Sequence, residues 1–113
     1  MIIKTDKEEN HRIWGTLGLS MKAGALSVGE AKATEAIRGG KASLIILSND
    51  ASANTEKKFS DMGSYRNIPV IKLADRNRLG TAIGRSFAVV IAVCSEGFSA
   101  KITEILSDGD NEN

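Results

Sequence analysis

The sequence predicts an α/β fold, a sheet sandwiched between layers of helix. Two observations carry this. Helical and strand-like stretches alternate along the whole chain, and that order builds a layered α/β domain. The run Leu44-Ile45-Ile46-Leu47 is apolar at every position, so it reads as a strand buried on both faces, with helices above and below the sheet. At 113 residues the chain is long enough for one domain.

The elements follow in order. Residues 1–6 read as a loose lead-in. From about Lys7 to Lys22 the pattern is helical, with Ile13, Trp14, Leu17, Gly18 and Met21 on one stripe. Gly24 stops that helix, and Ala25 to Val28 is the first strand. The chain then turns at Gly29 and Glu30 into a helix whose Ala33, Ala36 and Ile37 face the core. Ala31, Glu35 and Arg38 lie on the opposite side, and Lys32 lies between, where it can pair with Glu35. Gly39 and Gly40 end this helix. After the buried strand and a polar loop at Asn49-Asp50, Ser52 or Asn54 caps a helix anchored by Phe59 and Met62. Ile68 to Leu73 is the next strand, with Pro69 near its start, where the missing N–H is tolerated. Asp75 caps a short helix carrying Leu79, Ala82 and Ile83. Gly84-Arg85-Ser86 then leads to the longest strand, Phe87 to Cys94. Ser95 starts the last helix, with Phe98, Ile102, Ile105 and Leu106 on its apolar stripe. Domain limits are expected at 1–106, followed by a disordered acidic tail, 107–113.

Composition narrows the function classes. Hydrophobic residues make up 42% of the chain and aromatic ones 4%, so the core is aliphatic. The net charge is +1 for the whole chain. Setting aside Asp108, Asp110 and Glu112 leaves a body at +4, compatible with a nucleic-acid partner. The single cysteine, Cys94, allows no internal disulfide and fits a reducing cytoplasm. It ends an apolar strand and reads as a buried, structural thiol. No run reaches the length of a membrane span. His11 is the only histidine and reads as a surface residue, so a histidine-based triad or metal site is not expected. The GxxxxGK[ST] loop is absent, as is a GxGxxG after the first strand. Asp50 reads as a loop-capping residue in preference to a phosphoacceptor or metal ligand. No catalytic residue, metal or cofactor is expected.

Two stretches offer binding chemistry. At Gly29 and Glu30 the first N–H groups of a helix lack intrahelical acceptors and carry the positive end of its dipole, a place for an anion or phosphate. An ordinary helix start holding water or a capping side chain is the alternative. In LGTAIGR, Leu79 to Arg85, two glycines leave the backbone little shielded, and Arg85 offers a planar donor fork suited to phosphate or guanine. A short helix with a glycine stop and a solvated arginine is the alternative there.

Taken with LGLSMKAGAL at 17–26, VGEAKATEAIRGGKASLIILSNDAS at 28–52, NIPVIKL at 67–73 and VVIAV at 89–93, these stretches resemble the ribosomal L-seven-Ae superfamily of kink-turn RNA-binding proteins. The likeness spans about 13–106 and is nearest to the small bacterial YlxQ-like branch. The resemblance implies a three-layer α/β/α sandwich with a four-stranded mixed sheet. It implies a non-enzymatic protein binding structured RNA, ribosomal or rRNA-associated, in the cytoplasm. RNA would lie against Gly29, Glu30, Ala31, Lys32, Glu35 and Arg38, and against Gly84, Arg85, Ser86 and Phe87. The chain departs from the family where it has Gly29-Glu30-Ala31-Lys32 and then Glu35. Family members commonly have Gly-Thr-Asn/Lys-Glu/Gln, then a lysine. Two other readings use the same scaffold: a protein-interaction module with the Glu35 face turned to a protein, and an RNA-recruiting domain acting with a separate enzyme.

Overall fold

The computed structural model describes residues 2–5 and 11–111, with side chains described for 11–107. Ten elements follow in sequence: β1 (Ile2–Thr5), α1 (His11–Lys22), β2 (Leu26–Val28), α2 (Glu30–Arg38), β3 (Leu44–Leu47), α3 (Ala53–Arg66), β4 (Val70–Leu73), α4 (Arg76–Ala82), β5 (Val90–Val93) and α5 (Glu96–Asn111). They make one sheet in the order β1-β4-β3-β5-β2. The pairs β1–β4 and β3–β4 are parallel, and β3–β5 and β2–β5 antiparallel.

Pleating explains the unpatterned strands, because successive side chains point to opposite faces. Leu44 and Ile46 of β3, with Ile91 and Val93 of β5, join the core beneath α1, α4 and α5. Ile45 and Leu47, with Val90 and Ala92, join a second core beneath α2 and α3. Both faces of the central strands are therefore covered, which is why they carry no polar alternation. The expected α/β/α sandwich and its four mixed strands, β4-β3-β5-β2, are present.

Several boundaries differ from expectation; the strand expected from Ile68, for one, begins at Val70. The lead-in is not loose: Ile2–Thr5 pairs parallel with β4 as a fifth, edge strand. Its backbone is ordered by a partner distant in sequence, which a four-residue pattern does not reveal. The last strand begins at Val90 rather than Phe87, because the Ala88 N–H donates to Arg76 O and ties that segment to α4. Finally, α5 runs to Asn111, so the boundary expected at 106 falls inside a helix. Residues 112–113 of the expected tail, residues 1 and 6 of the expected lead-in, and residues 7–10 of the expected first helix lie outside the described residues.

The helix ends are chemically explicit. Ser52 Oγ accepts the Thr55 N–H at 3.1 Å, Asp75 Oδ1 accepts the Arg78 N–H at 2.8 Å, and Ser95 Oγ accepts the Phe98 N–H at 3.2 Å. At the end of α2 the Gly40 N–H donates to Ile37 O and the Lys41 N–H to Ala36 O, with Gly40 at φ +74°. That pair of bonds is the Schellman cap expected of Gly39-Gly40. Cys94 is half-buried rather than buried. It sits just past β5, where its Sγ lies 3.8 Å from Ser27 Oγ.

Candidate functional site

Strands β2, β3 and β4 all point the same way, so the β2–α2, β3–α3 and β4–α4 links emerge at one end of the sheet, where β5 begins. Open α/β sheets hold ligands outside the carboxyl ends of their parallel strands. A cleft of about 580 Å³ lies there. One wall is Val28, Gly29 and Glu30, and the opposite wall is Arg85, Ser86 and Phe87. Ala88, Val89 and Val90 also line it, and Ser52, Thr55 and Arg76 complete it.

Gly29 is the N-cap residue of α2 and has φ 98°, ψ 158°, with no side-chain cap hydrogen bond. That backbone region is essentially reserved for glycine. The start of α2 thus lacks the side-chain acceptor that α3, α4 and α5 possess, and its N–H groups are left for a partner in front of them. Glu30 would oppose an anion there, but its carboxylate is drawn onto α3. Thr55 Oγ1 donates to Glu30 Oε2 at 2.8 Å, and Lys58 Nζ stands 3.7 Å from Oε1.

The facing loop is held by Gly80. The Arg85 N–H donates to Gly80 O at 2.8 Å. A Cβ at Gly80 would stand 2.5 Å from Phe87 Cα and 2.8 Å from Arg85 O. The first glycine of LGTAIGR therefore admits the chain's own loop rather than a ligand. Gly84, at φ +78°, makes the turn before it. Arg85 is exposed and has no acid partner among the described residues. Phe87 is 59% exposed, a large apolar residue facing solvent at the cleft.

Arg76 forms the remaining cationic wall. Its Nη2 donates to Asp50 O at 2.9 Å, and its Nε lies 3.3 Å from Asp50 Oδ2. Asp50 thus orients Arg76, which is more than the loop cap expected of it. The Ser48 hydroxyl, buried without a well-formed hydrogen bond of its own, favours the ionised Asp50 carboxylate most. Arg76 adds to this, and together they hold Asp50 below the ordinary carboxylate range. Both partners are more than 40% exposed, so the pair contributes orientation more than stability.

Of the expected site residues, Gly29, Glu30, Arg85, Ser86 and Phe87 come together in the cleft. Gly84 shapes its loop. Ala31, Lys32, Glu35 and Arg38 lie exposed along the outer face of α2, outside the cleft. Lys32 and Glu35 make no ion pair with each other among the described residues, which corrects the pairing expected of them. Val28, Ser52, Thr55, Arg76 and Ala88 to Val90 were not expected. Asp75 as a helix cap marks where Arg76 starts a helix, but nothing local links Arg76 to Asp50 across 26 residues.

The sequence profile of the Ribosomal protein L7Ae/L30e/S12e/Gadd45 family matches residues 11–103. RNA-binding protein YlxQ of Bacillus subtilis (strain 168) is 39% identical over 90 residues, covering 80% of this chain and 90% of the relative. A solved structure of a protein with unknown function from Bacillus halodurans C superposes with a TM-score of 0.82 at 38% identity, over 85% of this chain and 97% of the other. The Giardia lamblia 15.5kD RNA binding protein shares the fold, with a TM-score of 0.74 at 19% identity, over 92% of this chain and 90% of the other.

Proposed function

The chain belongs to the Ribosomal protein L7Ae/L30e/S12e/Gadd45 family, and from that we propose that it is a non-enzymatic RNA-binding protein of the cytoplasm, ribosomal or rRNA-associated, that grips a bent, kink-turn-like RNA at the cleft between α2 and the α4–β5 loop. The observation that carries this reading is the meeting, at one sheet end, of an uncapped helix start, an exposed Arg85 and an exposed Phe87 beside an apolar lining. RNA is recognised mostly through shape and unpaired bases. The apolar surface of Val28, Phe87 and Val89 suits the face of such a base. Arg85 and the α2 N–H groups suit its phosphate. Lys32 and Arg38 extend the cationic contact along α2. The relative YlxQ of Bacillus subtilis (strain 168) is an RNA-binding protein, in keeping with this reading.

Arg85→Ala tests the cleft. A hydrogen bond to a charged group contributes about 1.5–3 kcal/mol, so affinity for a kink-turn RNA should fall roughly tenfold or more. The log–log salt slope should shrink by about 0.7–0.9 for the lost phosphate contact. Arg85 is exposed, so thermal stability should hold. Unchanged affinity and slope would remove the α4–β5 loop from the interface.

Glu35→Lys tests the α2 face. Glu35 is exposed and unpaired among the described residues, so the change should alter stability by no more than about 0.5 kcal/mol. It removes a carboxylate from beside the RNA and restores the family's residue type. Affinity should rise, most at low salt. Glu104→Lys, on α5 across the sheet, makes the same charge change away from the interface. Equal gains from both variants would mean a non-specific effect.

A further inference from the structure

The cleft occupies one end of the α2–α3 layer. At the other end the chain gathers a second set of groups that the cleft does not use. Ile45 of β3 pairs in register with Val70 of β4. Lys41 and Arg66 each stand four residues before those paired positions, so both precede neighbouring strands at the same end of the sheet. Adjacent strands lie about 4.8 Å apart. Lys41 follows the end of α2 by three residues, and Arg66 is the last residue of α3. Arg38 is the last residue of α2, and Tyr65 immediately precedes Arg66.

Tyr65 is 83% exposed, the most exposed large hydrophobic side chain among the described residues. The Arg66 guanidinium lies 5.3 Å from its ring centre, within cation–π range. Arg38, Lys41 and Arg66 have no acid partner among the described residues. Three acids bear on the charge here. Asp61, one turn before Tyr65, is held by Lys57 at 3.0 Å. Glu35 is one turn before Arg38 and interrupts the cationic line between it and Lys32. Glu96 belongs to a separate hollow with Ser43 and Ser99, formed with α5 on the opposite face. The corner is thus cationic, with an aromatic face open to solvent.

We propose that this corner is a second RNA contact: a strand leaving the cleft runs along the outer face of α2 and places phosphates on Arg38, Lys41 and Arg66 and an unpaired or terminal base on Tyr65. The proposal rests on the RNA-binding reading of the cleft. An aromatic ring beside free cations is the combination that holds single-stranded nucleic acid, through stacking and phosphate attraction. The two contacts are separated by the length of α2, nine residues, or about 13 Å of helix. One RNA can therefore reach both.

The test uses the whole protein and a bulged, kink-turn-type RNA hairpin made with a short stem and with a long stem carrying a single-stranded extension. The wild type should bind the long form more tightly. The double variant Lys41→Ala/Tyr65→Ala should lose that advantage, roughly tenfold, and flatten the salt slope by about 0.7–0.9. Its affinity for the short form should stay unchanged. Tyr65→Phe, which keeps the stacking face, should retain the advantage. A double variant that still prefers the long form, or that loses equally on both, overturns the second contact while Arg85→Ala continues to report on the cleft. A wild type that binds neither hairpin overturns the cleft reading and this contact together.

Discussion

Gly80→Ala is expected to abolish tight RNA binding, with a larger loss than Arg85→Ala. The new Cβ would stand 2.5 Å from Phe87 Cα, 2.6 Å from Phe87 N and 2.8 Å from Arg85 O. All three are backbone atoms, so no side chain can rotate away. The α4–β5 loop must move, and Arg85, Ser86 and Phe87 move with it. Losing one side chain removes one contact; displacing the loop removes a whole wall of the cleft. The affinity loss should be on the order of a hundredfold. Stability should change less. Overpacking costs about 1–3 kcal/mol, and alanine in place of glycine within a helix returns about 1 kcal/mol. Circular dichroism should show a folded protein, and fluorescence anisotropy with a kink-turn RNA should show the loss. Wild-type affinity in a folded Gly80→Ala protein would detach the loop from the interface.

The largest effect on stability is expected from Gly63→Ala. Gly63 lies in α3 where the helix crosses the start of β4. A Cβ there would stand 2.5 Å from Val70 Cγ2 and 2.8 Å from Ile68 O. Val70 is fully buried, so its methyl has little room to retreat. The Ile68 carbonyl cannot retreat easily either, since the Ile68 N–H is pinned to Gly63 O at 2.8 Å. The net cost, after the gain in helix propensity, should be about 1–2 kcal/mol. That corresponds to a Tm drop of roughly 4–8 °C per kcal/mol in a domain of this size. Gly63→Leu should prevent α3 from docking at all. Thermal melts read both results, and an unchanged Tm for the alanine variant would show that β4 yields at no cost.

The contrast between these glycines and what the sequence revealed is instructive. Repeating apolar spacing made α1, α2 and α5 legible, and unbroken apolar runs made β3 legible, because both signals are local. The caps at Ser52, Asp75 and Ser95 were legible for the same reason: a short polar side chain reaches N–H groups only two or three residues on. Gly63 and Gly80 carried no comparable signal. Their need for a missing Cβ comes from Val70 and Phe87, which sequence spacing does not bring to mind. The cleft divides along the same line. Gly29 and Arg85 were legible from their turns and from the family resemblance. The Asp50–Arg76 pair and the Glu30–Thr55–Lys58 cluster were not, since each joins separate links across the sheet end. Val28, Val89 and Val90 read as core strand residues, and only the opening between two walls makes them lining.

The edge position of β1 bears on the order in which this chain assembles. Ile2 pairs with Val70, 68 residues further along, and Leu26 of β2 pairs with Val93, 67 residues further along. The β3–β4 pair closes a much shorter loop, Ile45 to Val70. Closing longer loops costs more entropy before any contact offsets it, and topologies rich in distant contacts fold more slowly. Emerging N-terminus first, the chain must carry β1 unpaired until β4 has been synthesised and set beside β3. β2 waits longer still, because its partner β5 follows β4 in the chain, so both edge strands are placed after the centre of the sheet. Having only one neighbour each, these two edge strands are also the first to leave when the sheet begins to open.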